Sequence, residues 1–251
     1  MDTFTIAAAQ FTSKAGDIET NLARHLTFLH AAAEHGVKYL VFPEMSLTGY
    51  ERQLGDQLAM GQGDRRLRPL LAEAQRLDMT VVVGAPLRYE GESDVYIGAF
   101  TLGAHGIQPH TKQHLHPGED HVFVAGIGGP DVIVDGHSIA LAICADFSHP
   151  SHAARAANSG ARVYAASALI TDSGYQNDTG LLADYSAKHN MVVLMANHGG
   201  TTGGWEPAGR SAIWAAGGEV VVAAPGPGDR LVVATSGTSG WTGAVMAIRI
   251  E

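Results

Sequence analysis

Cysteine is almost missing from this chain: one, Cys144, stands in 251 residues. That excludes an intrachain disulfide and any zinc site built on paired cysteines, and a free thiol persists most easily in a reducing compartment. Charge is scarce too, at 16% of residues against 45% hydrophobic, a core-forming composition and not a disordered one. Positive charge is the scarcer sign. With 16 Lys and Arg against 25 Asp and Glu, the formal net charge is −9, the wrong sign for a nucleic-acid partner. No apolar run approaches the ~18 residues of a membrane span, and no basic-then-apolar leader precedes Thr3-Phe4-Thr5-Ile6. No HExxH pair is present. These gaps lead to the expectation of a soluble, cytoplasmic protein formed as one α/β domain over residues 1–251.

What is present is organised around Asp131 to Pro150. Two apolar runs flank Asp135-Gly136, a pair suited to a tight hairpin turn. The second run, Ile139 to Ile143, is apolar at every position, as a strand covered on both faces would be. It stops at Cys144, and Pro150-Ser151 opens an Ala-rich helical segment. The lone thiol thus sits where a buried strand turns towards a helix, a junction that exposes a nucleophile and aims backbone N–H groups at a developing oxyanion.

Along the rest of the chain, strand and helix patterns alternate. Strands are expected at Phe4–Phe11, Lys38–Phe42, Thr80–Gly84, Val163–Ala166 and Val192–Ala196. Helices are expected at Asn21–His35, Asp64–Leu77, Ser151–Ser159 and Leu181–His189. Leu87 to His110 reads as an antiparallel meander, and Ser211 to Ile250 as short strands broken by Gly and Pro. A polar loop from Thr111 to Pro130 carries His114, His116 and His121; loops of this length in a compact domain are functional or disordered. No linker composition interrupts the pattern, so layered sheets with outer helices are expected.

Three reactive side chains follow apolar strands: Glu44 after Leu40-Val41-Phe42-Pro43, Lys112 after the strand near Ile107, and Cys144 after Leu141-Ala142-Ile143. Strand ends in layered α/β proteins are where sites are built. A carboxylate, an ammonium and a thiol supply a base, a positive charge and a nucleophile. The ammonium would hold the thiol as thiolate and stabilise an oxyanion; the carboxylate would move the protons. Singly, each has a bland explanation: an inert packed thiol, a loop carboxylate bonding backbone N–H groups, and a solvated lysine.

Together they match a family. Phe42-Pro43-Glu44 with Gly49-Tyr50, then Lys112-Gln113-His114-Leu115, then Glu119-Asp120-His121-Val122-Phe123 ending at Gly126, then Ile143-Cys144-Ala145-Asp146 closing on Pro150, resemble the nitrilase superfamily of carbon–nitrogen hydrolases. Asn197 and Gly209-Arg210-Ser211 also resemble later landmarks of that family. The resemblance covers nearly the whole chain. It implies a single-domain, four-layer α-β-β-α sandwich that assembles into dimers or larger homo-oligomers. It also implies hydrolysis of a non-peptide C–N bond of a small molecule without cofactor or metal. Carried over by position, it implies Cys144 as nucleophile, Glu44 as general base and acid, Lys112 as oxyanion stabiliser, Glu119 as a supporting carboxylate, and Ala145 N–H in the oxyanion hole.

The chain departs from the family pattern at Ser148, where many amidase-like members carry Arg, at Ala145, where many carry an aromatic, and at His149. The Cys-x-Asp form resembles amidase and carbamoylase branches more than the Cys-Trp-Glu of true nitrilases. A small carboxamide is therefore the expected substrate, with N-carbamoyl amide or nitrile hydrolysis as the nearest rival. Tyr50, His149, Tyr175 and Trp205 are the candidate pocket residues. Other classes are a metal site at His110, His114, His116 and His121, a ligand-binding homologue without activity, and a dinucleotide site at Gly126–Gly129 or Gly226-Pro227-Gly228. Pro130 and Pro227 spoil the helix that such a dinucleotide loop needs.

Overall fold

The computed structural model describes residues 3–249. The strands are β1 (Thr5–Gln10), β2 (Tyr39–Val41), β3 (Thr80–Leu87), β4 (Tyr96–Gly103), β5 (Gly106–Thr111), β6 (Val132–Val134), β7 (His137–Ile143), β8 (Val163–Ala168), β9 (Val192–Asn197), β10 (Ala212–Trp214), β11 (Val220–Ala223), β12 (Arg230–Gly237) and β13 (Gly240–Ala247). The helices are α1 (Ile18–Glu34), α2 (Gly55–Leu58), α3 (Arg68–Arg76), α4 (Pro150–Asn158) and α5 (Asp172–His189). One sheet has the order β13-β12-β1-β2-β3-β4-β5 and the other β11-β10-β9-β8-β7-β6. The centre of each is parallel, β1-β2-β3 in one and β7-β8-β9 in the other, and antiparallel hairpins extend the edges.

The layering follows from side-chain alternation along each strand. In β7, Ile139, Leu141 and Ile143 enter the core between the sheets, while Ala140 and Ala142 face α4 and α5. In β1, Ile6 and Ala8 join the same inter-sheet core, and Ala7 and Ala9 pack with Phe28 and Leu29 of α1. Small residues on the helix side let helices lie close; branched ones fill the gap between sheets. A strand covered on both faces reads as an unbroken apolar run, as Ile139 to Ile143 does. The result is the single-domain α-β-β-α sandwich expected from the sequence.

Several boundaries shift, each for a local reason. Asp17 begins α1 earlier than Asn21, its Oδ1 accepting from Thr20 N–H at 3.0 Å. The expected helix at Asp64–Leu77 splits into a 3-10 turn at Arg65–Leu67 and then α3, with Pro69 in its first turn. Helix α5 starts at Asp172, well before Leu181. Its first half is polar and holds Gly174 and Gly180, so no apolar periodicity announces it. The tail contains a hairpin of two eight-residue strands, β12 and β13, longer than the short strands expected; Ile250 lies outside the described residues. Among the described residues no helix is long and apolar enough to cross a membrane.

Candidate active site

Glu44 sits in the turn after β2, and that turn is held from several sides. Ser167 Oγ of β8 donates to Phe42 O across the sheets at 2.8 Å. His198 Nε2 donates to Glu44 O at 2.7 Å. Ser46 Oγ accepts from Gly84 N–H at 3.1 Å and donates to His25 Nε2 at 3.0 Å; His25 Nδ1 donates to Asn21 O at 2.6 Å. Gly84 is required here: a Cβ would stand 2.3 Å from Met45 N, and Met45 itself takes a φ of 53°. Burial holds His25 at a pKa of about 3 and His198 at about 4, so both serve as neutral struts.

Lys112 follows β5 directly. Its N–H bonds Ile97 O at 2.8 Å, and its carbonyl accepts from Gly126 N–H at 2.7 Å. Its Nζ is fully buried and donates to Glu44 Oε1 and to Glu119 Oε1, both at 2.7 Å. Glu119 also accepts from Tyr50 OH on Oε1 and from His116 N–H on Oε2, the latter at 2.7 Å. Tyr50 in turn is placed by Thr202 Oγ1, which accepts from its N–H at 2.8 Å. The long loop after β5 is therefore folded around a buried carboxylate.

Cys144 ends β7 and begins a 3-10 turn over Cys144–Ser148 with φ at 44°, a sharp bend that lifts the thiol out of the sheet. Asp146, fully buried, closes the bend. Its Oδ2 accepts from Ile143 N–H at 3.1 Å. Its Oδ1 accepts from Gln113 N–H, His114 N–H and His114 Nδ1 at 2.9, 2.8 and 3.0 Å. One carboxylate thus ties the cysteine turn to the residues that follow Lys112. Asn197, at the end of β9, does similar work: Oδ1 accepts from Ile170 N–H at 2.8 Å and Nδ2 donates to Ile170 O and Gly209 O, each at 2.9 Å.

The electrostatics follow from burial. Desolvation pushes Glu44 up and the Glu119 charge adds to that, while Lys112 opposes; the carboxyl titrates at about 7. Burial disfavours the Lys112 charge, but Glu44, Cys144 and Glu119 together outweigh it, and Lys112 stays protonated. Burial and the Glu44 charge push the Cys144 thiol up, against the pull of Lys112. Lys112 already bonds two carboxylates, which leaves one Nζ donor for a further partner. Among the described residues Glu44 Oε2 has no hydrogen-bond partner. The Cys144 side chain is near enough to lower Glu44's proton affinity.

Glu44 and Cys144 open on a cavity of about 450 Å³, whose other walls include Tyr50, Ala145, His116 and Trp205. His149 and Tyr175 do not line it: His149 stacks on His114 with centroids 3.8 Å apart, and Tyr175 OH donates to Arg210 O at 2.7 Å. The proposed histidine ligand set is not assembled either: among the described residues no group of His, Cys, Asp or Glu forms a metal-binding cluster, and His114 is bound to Asp146. The glycines of the two supposed dinucleotide loops precede no helix.

A family profile described as carbon-nitrogen hydrolase matches residues 5–238. The chain belongs to the carbon-nitrogen hydrolase family. Among solved structures, it superposes on a variant of the amidase from Nesterenkonia sp. AN1 whose active-site cysteine carries the acetamide moiety of fluoroacetamide. The TM-score is 0.82 at 25% identity, over 92% of this chain and 89% of that one. Nit3 of Saccharomyces cerevisiae, a member of branch 10 of the nitrilase superfamily, shares the fold at a TM-score of 0.86 and 18% identity, over 95% and 91% of the two chains. Curated relatives include the glutamine-dependent NAD(+) synthetases of Mycobacterium leprae (31% identical over 188 residues, 64% of this chain) and Mycobacterium bovis (28% over 241 residues, 83% of this chain). This chain covers 27% and 35% of their lengths.

Proposed function

We propose that this chain is a thiol amidase, hydrolysing a small carboxamide to a carboxylic acid and ammonia through a thioester on Cys144. The observation that carries the reading is Glu44 Oε2, a buried acceptor without a partner beside a cysteine that opens on a cavity. Glu44 takes the thiol proton as sulfur attacks the amide carbon. Lys112 Nζ and Ala145 N–H receive the oxyanion. Collapse breaks the C–N bond, and Glu44 passes its proton to the departing nitrogen, releasing ammonia. Water then gives a proton to Glu44 and its oxygen to the thioester carbon. Collapse breaks the C–S bond, and the proton held by Glu44 returns to sulfur. Glu119 keeps Lys112 in place throughout.

The test is ammonia release from acetamide, propionamide and butyramide by the native protein and by Cys144→Ala. Release confined to the native protein, with an acyl adduct on Cys144 by intact mass, supports the reading; equal release from both ends it. N-carbamoyl amides and nitriles use the same residues and are told apart by product, carbon dioxide with ammonia or an acid from the nitrile. The mycobacterial relatives are named as glutamine-dependent, which puts glutamine in the same panel. Assembly into a homodimer or larger homo-oligomer is part of this reading and is tested by sedimentation. A partly exposed free thiol suits a reducing cytoplasm.

A further inference from the structure

The cavity wall carries two carboxylates, and the proposed chemistry uses only one. Glu44 lies beside Cys144, and Asp178 stands on α5. Among the described residues no Lys or Arg lines the cavity, and Lys112, behind Glu44, is held by the two glutamates. Asp178 accepts from Asn177 Nδ2 at 3.2 Å, a neutral donor that does not offset its charge. Space is kept in front of it by Gly174, one turn earlier on the same face of α5: a Cβ there would approach Asp178 Oδ2 to 3.3 Å. Burial pushes the Asp178 pKa up, opposed by Asn177 and His116, so the carboxylate sits where a further positive charge would stabilise it. His116 and Trp205, both on the wall, meet edge to face with centroids 6.2 Å apart, and an indole suits a neighbouring cation.

We infer that Asp178 recognises the acyl side of the substrate, and that the preferred amides carry a protonated amine on a short acyl chain. This rests on the amidase reading for its chemistry and adds the substrate class. A carboxylate facing a half-buried pocket without a Lys or Arg on its wall repels anionic acyl groups and gains a charge-assisted hydrogen bond from an ammonium. The same wall has no group to neutralise an α-carboxylate. Free glutamine is therefore a poorer substrate than 4-aminobutanamide, which is glutamine without that carboxylate.

The experiment compares isosteric pairs at neutral pH: glycinamide with propionamide, β-alaninamide with butyramide, and 4-aminobutanamide with pentanamide, with glutamine alongside. At the chain length that spans the cavity, the amine is expected to raise kcat/KM by about tenfold, mainly through KM, the size of one charged hydrogen bond. Asp178→Asn should bring that ratio to about one, and Asp178→Glu should retain most of it. Binding of the same pairs to Cys144→Ala by calorimetry reads the preference without turnover. Equal or better performance of the neutral isostere at every length, an unchanged ratio in Asp178→Asn, or glutamine outrunning 4-aminobutanamide overturns the assignment. Hydrolysis of neutral amides with no amine preference removes the role of Asp178 and leaves the amidase reading standing. Selective binding of amines without any turnover does the reverse.

Discussion

Glu44 and Glu119 are both buried and both accept from the same ammonium, at the same 2.7 Å. Their other oxygen bonds differ. Glu119 is bonded through both oxygens, taking Tyr50 OH, Lys112 Nζ and His116 N–H. Glu44 keeps Oε2 without a partner and faces the cavity. A carboxylate bonded through both oxygens to three donors is a strut that holds Lys112. One with an oxygen left bare, desolvated until it titrates at about 7, is able to take and return a proton at working pH. The pair shows that the same residue type, burial and partner give a strut or a proton carrier according to how many donors surround it.

The sharpest way to break that comparison is Glu44→Gln, which keeps shape and the bond to Lys112 but not the base. Amide turnover is expected to fall by about 10³-fold, with thermal stability little changed. Loss of fold with residual activity per folded molecule intact would reverse the two roles. Glu119→Gln is the mirror experiment. It sets an amide N–H₂ among donors and leaves Lys112 short of a charge, so a stability loss of about 3 kcal/mol is expected, with a smaller fall in turnover, measured by urea unfolding and steady-state kinetics.

Acidity sharpens the difference further. If Glu44 is the base, the rate rises with pH through about 7 and levels off above, and Glu44→Gln has no such step. Stability runs the other way for this group. Its folded pKa lies above its ordinary 4.5, so the native state holds the extra proton between those values. Its contribution is complete below 4.5 and is lost as pH rises through about 7. Melting temperature against pH, native beside Glu44→Gln, reads this directly; parallel curves would show that the carboxyl is not displaced. The mildest expected effect is Ser167→Ala. It removes one buried bond to Phe42 O, costing about 1 kcal/mol, or about 2–4 °C in Tm, with activity within about threefold because His198 and Ser46 still hold the Glu44 turn.

Much of this was legible in the linear chain. The unbroken run Ile139 to Ile143 marked a doubly covered strand, and Cys144 at its end marked the bend. The supports were less visible. Asp146 reads in the sequence only as part of the cysteine motif, yet it bonds residues on both sides of the site. His198, Ser167 and His25 carry no local signal, because their partners come from distant segments. Tyr175 and His149 show the converse error: residues of suitable type near a landmark, turned to Arg210 and His114 instead of the cavity.

Order, periodicity and residue type determined by themselves that this chain forms doubly covered parallel strands and carries a carboxyl, an amine and a thiol at strand ends, since those depend on neighbours a few positions away. Which atoms are free to react was decided only by folding. Whether Glu44 Oε2 is left bare, Glu119 is bonded through both oxygens and Cys144 opens on the cavity depends on which donors and how much packing surround each group, and those are set by segments that meet only in three dimensions.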